Sequence, residues 1–128
     1  MKRLLIIEDS RMVSELLKTR LESEGFQCEV ISDGLEGLKR AKEIMPDLII
    51  LDVMLPSMNG FKICRLLKYD RRYRKIPILM LTTRAEAKDV RLGKSTGADL
   101  YMTKPFKTEE LISAVNSLLE KAEEGQPV

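Results

Sequence analysis

The stretch Leu48-Ile49-Ile50-Leu51-Asp52 decides the fold class of this chain. Four aliphatic residues follow one another without alternating polar positions, which indicates a strand that is covered on both faces. Strands of this kind belong to parallel sheets that carry helices on each side. The stretch therefore predicts that Asp52 lies at the carboxyl edge of a parallel sheet, where such folds place their ligands.

Similar apolar runs lie on both sides of this stretch, and longer amphipathic segments separate them. The predicted strands are residues 3–7, 28–31, 48–51, 76–81 and 100–102. The predicted helices are residues 12–21, 35–44 and 61–67, a fourth that Thr83 and Glu86 open at capping-box spacing, and a fifth that Thr108 caps. Five strands in strict alternation with five helices predict an α/β fold with a parallel sheet, helices on both faces and right-handed crossovers.

Helix ends and helix faces can also be predicted from single residues. Gly25 is expected to end the first helix and Asn59 to cap the third. The residues predicted to face inward are Val13, Leu16, Leu17 and Leu21 in the first helix, Leu35, Leu38, Ala41 and Ile44 in the second, and Leu111, Val115, Leu118 and Ala122 in the last. The fourth predicted helix has few apolar residues, so we expect it to be weakly anchored.

Composition excludes several classes of function. The 128 residues are 44% hydrophobic and 33% charged, which predicts one globular domain over residues 1–122 and a polar tail over 123–128. The net charge of +2 gives no strong field toward nucleic acid or a membrane, and no apolar run approaches the roughly 18 residues of a spanning helix. The absence of histidine removes histidine-based acid–base catalysis. Cys28 and Cys64 lack metal-site spacing and are expected to be reduced thiols of a cytoplasmic protein.

Four predicted strands each deliver a polar side chain to the same edge. Glu8 and Asp9 follow the first strand, Asp52 the third, Thr82 the fourth and Lys104 the fifth. A carboxylate can act as a nucleophile toward a phosphoryl group, and crowded carboxylates require a cation. Hard oxygen ligands favour Mg²⁺. The Thr82 hydroxyl and the Lys104 ammonium group can each bind one oxygen of a phosphoryl group. The set therefore predicts phosphoryl chemistry on Asp52.

The same residues resemble the receiver domains of two-component response regulators, a family that includes the chemotaxis regulator. The matching segments are Ile7-Glu8-Asp9-Ser10, residues 46–56, Met58-Asn59-Gly60, Leu81-Thr82, Gly97-Ala98-Asp99 and residues 101–106. The resemblance covers residues 3 to 119. It implies a flavodoxin-like (βα)5 fold, a doubly wound five-stranded parallel sheet in the strand order 2-1-3-4-5.

The resemblance also implies a role for each residue at the acidic edge. Asp52 matches the residue that accepts a phosphoryl group from a histidine kinase or a histidine phosphotransfer protein. Asp9, Asp52 and the backbone carbonyl of Met54 match the protein ligands of Mg²⁺, and Glu8 matches a residue that acts on the metal through water. The chain would then be a signalling switch that catalyses only its own phosphorylation and dephosphorylation.

Three further positions match the residues that report phosphorylation. Thr82 and Lys104 match the pair that holds the phosphoryl group, and Tyr101 matches an aromatic residue that turns inward on activation. The resemblance implies a cis peptide bond between Lys104 and Pro105. A downstream protein would bind the face made by the fourth helix, the fifth strand and the fifth helix. Neither nucleic acid nor a membrane is expected to bind directly, and the domain would be a monomer or a weak phosphorylation-dependent dimer.

Three alternatives stay open at this point. The chain could be the receiver part of a larger regulator with a DNA-binding or enzymatic output domain. It could be a flavodoxin-like domain that binds FMN, although the charged segment of residues 8–11 would repel a phosphate unless a metal intervened. It could be a phosphatase with an aspartyl intermediate, although Met54 stands where a second catalytic carboxylate is needed.

Overall fold

The predicted strands form one five-stranded parallel sheet in the computed structural model, which describes residues 1–83 and 96–124. The sheet has the order β2-β1-β3-β4-β5, as the resemblance implied. Its strands are β1 (Arg3–Ile7), β2 (Gln27–Ile31), β3 (Leu48–Asp52), β4 (Ile78–Thr82) and β5 (Leu100–Thr103). The described helices are α1 (Arg11–Ser23), α2 (Gly34–Ile44), α3 (Gly60–Lys68) and the C-terminal helix (Thr108–Glu123). The fourth predicted helix, with Glu86, lies outside the described residues.

Helices cover both faces of the sheet, as the aliphatic run of β3 predicted. Alternate residues of a strand point to opposite faces, so β1 and β3 supply side chains to two separate cores. One core joins α2 and α3 to the sheet and includes Leu5, Ile7, Ile49, Leu51, Leu38, Ala41, Ile63 and Leu67. The other joins α1 and the C-terminal helix to the sheet and includes Leu4, Ile6, Leu48, Ile50, Leu17, Leu21, Leu111 and Val115. All five residues of β3 are buried.

Side-chain caps fix where the first three helices begin. Ser10 accepts a hydrogen bond from the Val13 amide at the start of α1, and Asp33 accepts one from the Glu36 amide at the start of α2. Asn59 caps α3 as predicted. Gly25 follows α1 at a φ of 94°, a left-handed conformation that favours glycine and confirms its predicted position.

The predicted cap of the C-terminal helix is wrong by one residue. The Leu111 amide donates to the carbonyl of Lys107, so Lys107 is the capping position and Thr108 is the first helical residue. The Lys107 side chain makes no capping hydrogen bond. Glu109 and Glu110 lie in the first turn, where the helix dipole favours negative charge.

The inward faces of the helices differ from the prediction at three positions. Leu35 is 39% exposed because the buried stripe of α2 consists of Gly34, Gly37, Leu38 and Ala41, so two glycines occupy inward positions. Leu16 of α1 is also exposed, and Ser14 is buried in its place. Ala122 is exposed because the buried stripe of the C-terminal helix ends at Leu119.

The two cysteines are buried free thiols. Burial raises the pKa of Cys28 and the pKa of Cys64 to about 11, so both thiols are protonated at neutral pH. Among the described residues, the longest helices are too short or too polar to cross a membrane.

Candidate functional site

The register of the sheet brings the predicted site residues to one edge. Ile7 of β1 is paired with Leu51 of β3, so Glu8 and Asp52 are neighbours at the ends of adjacent strands. Thr82 of β4 is paired with Thr103 of β5, and the Lys104 amide donates to the Thr82 carbonyl over 2.6 Å. Adjacent parallel strands end on the same edge, so sequence positions far apart become spatial neighbours.

Three carboxylates form a cluster at this edge. Carboxylate oxygens of Glu8, Asp9 and Asp52 lie within 4.8 Å of one another. Glu8 and Asp52 are buried, at 1% and 4% exposure, whereas Asp9 is exposed. Buried like charges at this separation are costly unless a cation accompanies them. The donor set of carboxylate oxygens is the kind that Mg²⁺ prefers, so the residues present fit a magnesium ion.

Lys104 places an ammonium group between the two buried carboxylates. Its Nζ lies 2.6 Å from Glu8 Oε1 and 3.1 Å from Asp52 Oδ1. Burial by itself lowers the pKa of Lys104, but hydrogen bonds to Glu8 and Asp52 raise it by more, so the net shift is upward. Lys104 is therefore protonated at neutral pH and partly balances the charge of the cluster.

The surroundings of Asp52 raise the proton affinity of its carboxyl group. Burial and the neighbouring Glu8 raise the pKa of Asp52 and Lys104 lowers it, so that the net result is a pKa of about 6. Near pH 7 most of the Asp52 side chain is nevertheless ionised. An ionised carboxylate with a raised pKa is a more basic oxygen nucleophile than a carboxylate in water.

This shift predicts how the stability of the metal-free protein depends on pH. The pKa of Asp52 is about 6 in the folded protein and 3.8 ordinarily, so between these pH values the folded state binds more protons than the unfolded state. Asp52 therefore reduces stability as the pH rises through that window. Asp52→Asn removes this effect. The unfolding free energy of the variant minus that of wild type should therefore be about 1–2 kcal/mol larger at pH 7.5 than at pH 4.5.

Urea unfolding in EDTA measures this difference. The wild type and Asp52→Asn are compared at both pH values, so that effects of the amide itself cancel between them. A stability gain that is the same at pH 4.5 and pH 7.5 would show that Asp52 does not titrate in this window.

Thr82 and Tyr101 lie on the last two strands of the sheet, β4 and β5. Thr82 is 3% exposed, and its hydroxyl donates to the Met102 carbonyl over 3.5 Å. Tyr101 is half-buried on the α2–α3 side of the sheet, and its hydroxyl lies 3.0 Å from the hydroxyl of the buried Thr96. The peptide bond between Lys104 and Pro105 is cis, as the resemblance implied.

The segment between β3 and α3, residues 53–59, is held against the start of α2. The Gly34 amide donates to the Pro56 carbonyl over 3.0 Å, and the Ser57 hydroxyl donates to Asp33 Oδ1 over 2.5 Å. A Cβ at Gly34 would overlap the carbonyl oxygen of Met58, so only glycine permits this approach. The segment carries the backbone carbonyl of Met54, and these contacts therefore fix the backbone that leads to it.

The other end of this segment is fixed at Gly60. The Gly60 amide donates to the Val53 carbonyl over 2.8 Å, and a Cβ at Gly60 would overlap the carbonyl oxygen of Asp52. Sequence reasoning missed the structural roles of Asp33, Gly34 and Ser57. The available signal was the pair Asp33-Gly34 at the start of a helix, which identifies a cap but not the loop that packs on it.

Comparison with known proteins connects this geometry to a family. The family model described as "Response regulator receiver domain" matches residues 4–116, which is most of the chain. The chain belongs to the response regulator receiver domain family. Phosphoryl-accepting aspartates and bound Mg²⁺ are typical of receiver domains, and an acidic cluster at the carboxyl edge is what this receiver domain shows.

Several curated proteins and solved structures resemble this receiver domain. The DNA-binding response regulator MtrA of Mycolicibacterium smegmatis is 42% identical over 123 residues, which are 96% of this chain and 53% of MtrA. The DNA-binding dual master transcriptional regulator RpaA of Synechocystis is also 42% identical over 123 residues, 96% of this chain and 51% of RpaA. The signal receiver domain of a signal transduction histidine kinase from Syntrophus aciditrophicus superposes with a TM-score of 0.92 at 38% identity, covering all of this chain and 97% of that one.

These comparisons confirm the predicted family and fold. The chain is a receiver domain of two-component response regulators and hence a signalling protein. This receiver domain spans about half the length of the curated relatives that it matches. Family membership favours the receiver interpretation over the flavin-binding and phosphatase alternatives.

Proposed function

We propose that Asp52 accepts a phosphoryl group from the histidine of a sensor kinase or of a histidine phosphotransfer protein. The observation that carries the proposal is the placement of the Asp52 carboxylate, buried beside Glu8 and 3.1 Å from the Lys104 ammonium at the carboxyl edge of the sheet. An Asp52 oxygen attacks phosphorus, the phosphorus–nitrogen bond of the donor breaks, and its electron pair leaves with the donor nitrogen.

The acidic cluster would hold a magnesium ion during this reaction. Asp9, Asp52 and the backbone carbonyl of Met54 would bind it directly, and Glu8 would act through water. Bound Mg²⁺ supplies positive charge that offsets the charge shared by the carboxylates and the phosphoryl oxygens. The support for this assignment is the distance of at most 4.8 Å between the carboxylate oxygens of Glu8, Asp9 and Asp52.

Lys104 and Thr82 would hold the phosphoryl group once it is on Asp52. The Lys104 ammonium already contacts Asp52 Oδ1, so an oxygen of a phosphoryl group on Asp52 would lie within its reach. Within the described part of the chain, the Thr82 hydroxyl makes a single long hydrogen bond, to the Met102 carbonyl, which it can exchange for one to a phosphoryl oxygen. These residues bind and orient the product and carry out no chemistry on other substrates.

The signal would leave the domain through a change at the last two strands. Movement of Thr82 toward the phosphoryl group would free space for Tyr101, and this would alter the face of the fourth predicted helix, β5 and the C-terminal helix. Phosphorylation adds roughly 1.5 to 2 negative charges, and a partner responds only if it binds the two states differently. A downstream protein is the partner that this face would take.

The relatives extend the proposal to a whole regulator. MtrA and RpaA are named as DNA-binding proteins, and this chain matches only about half of each. We therefore favour the interpretation of a receiver that controls a DNA-binding output. The expectation of no nucleic-acid partner is accordingly restricted to residues 1–122, the proposed receiver domain, with residues 123–128 as a tail. A cytoplasmic location and a monomer that dimerises weakly when phosphorylated belong to the same proposal.

Chemical labelling tests the acceptor. Incubation with acetyl phosphate and Mg²⁺ should add one acid-labile phosphoryl group per chain, and EDTA should prevent its addition. Borohydride reduces an aspartyl phosphate to homoserine, so peptide mass spectrometry should find homoserine at position 52. Homoserine at position 9 instead, or labelling that persists in EDTA, would contradict the proposal.

A further inference from the structure

The segment of residues 65–75, which leads from the end of α3 toward β4, holds a concentrated positive charge. Six of the 22 lysine and arginine residues of the chain lie in these eleven positions, but only one of its 20 acidic residues does. The segment therefore carries a formal charge of +5, while the remainder of the chain carries −3. The small net charge of the chain hides this asymmetry.

Two of the six cations are already engaged within the fold. The Lys68 side chain is 8% exposed and pairs with Asp99 over 2.5 Å, and Arg72 pairs with Asp70 over 2.9 Å. The other four are exposed, and within residues 1–83 and 96–124 no carboxylate oxygen lies within 4.0 Å of them. These four residues are Arg65, Arg71, Arg74 and Lys75.

Apolar side chains are exposed among these cations. Leu66 is 42% exposed and Tyr69 is 73% exposed. Together with Arg65, Asp70 and Arg71 they line an open groove of about 690 Å³. Arginine and tyrosine are enriched at protein interfaces and among the residues that dominate binding energy there. We call the six residues Arg65, Leu66, Tyr69, Arg71, Arg74 and Lys75 the basic surface.

We propose that the basic surface docks an acidic segment of a partner protein, one that presents an apolar side chain among its carboxylates. The four exposed cations match carboxylates in charge, and arginine can bind a carboxylate through two parallel hydrogen bonds. Leu66 and Tyr69 supply apolar area that a purely ionic ligand would leave exposed to water.

Charge within the groove favours a protein segment over nucleic acid. Hydrogen bonds from Arg72 lower the pKa of Asp70 to about 2, so Asp70 is ionised at neutral pH. The phosphates of a nucleic acid repeat along the strand, so the Asp70 carboxylate would repel them wherever the strand is placed. A peptide can instead donate a backbone amide hydrogen bond to this carboxylate. A second copy of the chain is also a poor occupant. A two-fold contact would set the basic surface against itself, and a head-to-tail contact generates rings or open filaments rather than a dimer.

The basic surface lies at the opposite end of α3 from the phosphoryl-acceptor site. The helix begins at Gly60 beside Asp52, and its nine residues span roughly 13 Å toward the other edge of the sheet. Docking here is therefore expected in both phosphorylation states. The inference does not depend on the proposed role of Asp52.

Fluorescence anisotropy with two labelled peptides tests the proposal. One probe alternates glutamate with leucine, and the other replaces each leucine by serine. The triple variant Arg65→Glu, Arg71→Glu, Arg74→Glu should bind the first probe at least about tenfold more weakly than wild type. The matched control Lys39→Glu, Lys107→Glu, Lys121→Glu changes the net charge equally at exposed positions elsewhere and should bind within about twofold of wild type.

The apolar half of the surface has its own test. Leu66→Ser combined with Tyr69→Ser should abolish the preference for the leucine probe over the serine probe. All substituted residues are exposed, and circular dichroism confirms folding. Asp52→Asn and beryllofluoride-treated wild type should bind like untreated wild type.

Four results would overturn the inference. They are no binding of the leucine probe, equal losses in the two triple variants, no preference between the two probes, and a duplex oligonucleotide that displaces the leucine probe at lower concentration than the unlabelled peptide does. A change of more than about threefold with beryllofluoride would overturn its independence from phosphorylation.

Discussion

Asp52→Asn is expected to take up no detectable phosphoryl group from acetyl phosphate, a loss of roughly three orders of magnitude or more in rate. The amide that replaces the carboxylate is neutral and is not a nucleophile under these conditions. The substitution also removes one of three clustered carboxylates, so binding of Mg²⁺ should weaken at the same time. Quantification of acid-labile phosphate after a fixed incubation measures the loss.

The neighbouring carboxylates do not replace Asp52 in this expectation. Glu8 makes the shorter contact with the Lys104 ammonium, 2.6 Å against 3.1 Å for Asp52, and Asp9 is exposed to water. Asp47→Asn is a matched control, because Asp47 precedes the opposite end of the same strand and accepts a hydrogen bond from the Arg3 amide there. The control should label like wild type. Equal labelling of Asp52→Asn and wild type would show that another residue is the acceptor.

Gly60→Ala is expected to destabilise this fold strongly, although it adds only one methyl group. A Cβ at this position would overlap the carbonyl oxygen of Asp52 and lie 2.9 Å from the Cα of Val53. Both atoms belong to the backbone, so no side-chain rotation relieves the contact. We expect a loss of about 3 kcal/mol or more in the free energy of unfolding, together with slower labelling, because the displaced backbone carries Asp52, the proposed acceptor.

Gly25→Ala separates backbone strain from this overlap. Gly25 has a φ of 94°, but no heavy atom lies within 4 Å of a Cβ built there. The substitution should therefore cost only about 1–2 kcal/mol from the left-handed conformation, and labelling should be unchanged. Urea unfolding of both variants measures the difference. Equal losses of stability would mean that the segment after β3 yields easily at Gly60.

The meeting of Glu8, Asp52 and Lys104 at one edge was predictable because the topology of the sheet brings the strand ends together there. Once the aliphatic run at Leu48 predicts a parallel sheet, the residue after each strand is fixed at one edge. Any two of the residues Glu8, Asp52 and Lys104 are at least 44 positions apart in the sequence. Their side chains nevertheless meet, as expected. Their assignments to metal binding and phosphoryl transfer stay predictions until labelling is done.

The contacts that support the site were not predictable in the same way. Gly34 and Gly37 face inward, where the backbone of Met58 lies close to Gly34 and the side chain of Ile7 lies close to Gly37. A sequence pattern that counts apolar side chains gives glycine no weight, so it does not predict these positions. Leu35 was expected inward for the same reason. The half-buried ion pair of Lys68 with Asp99 joins two segments that sequence patterns treat separately.

Lys104 sets a condition on any cation that approaches the carboxylates. Its ammonium group belongs to the same chain, so its effective concentration at Glu8 and Asp52 does not fall when the protein is diluted or dialysed. A divalent ion that binds these carboxylates must therefore compete with the Lys104 ammonium group as well as with water. Occupancy of the carboxylates therefore depends on an exchange between the Lys104 ammonium group and the divalent ion. The amount of the first is fixed by the covalent chain, and the concentration of the second is set by the solution.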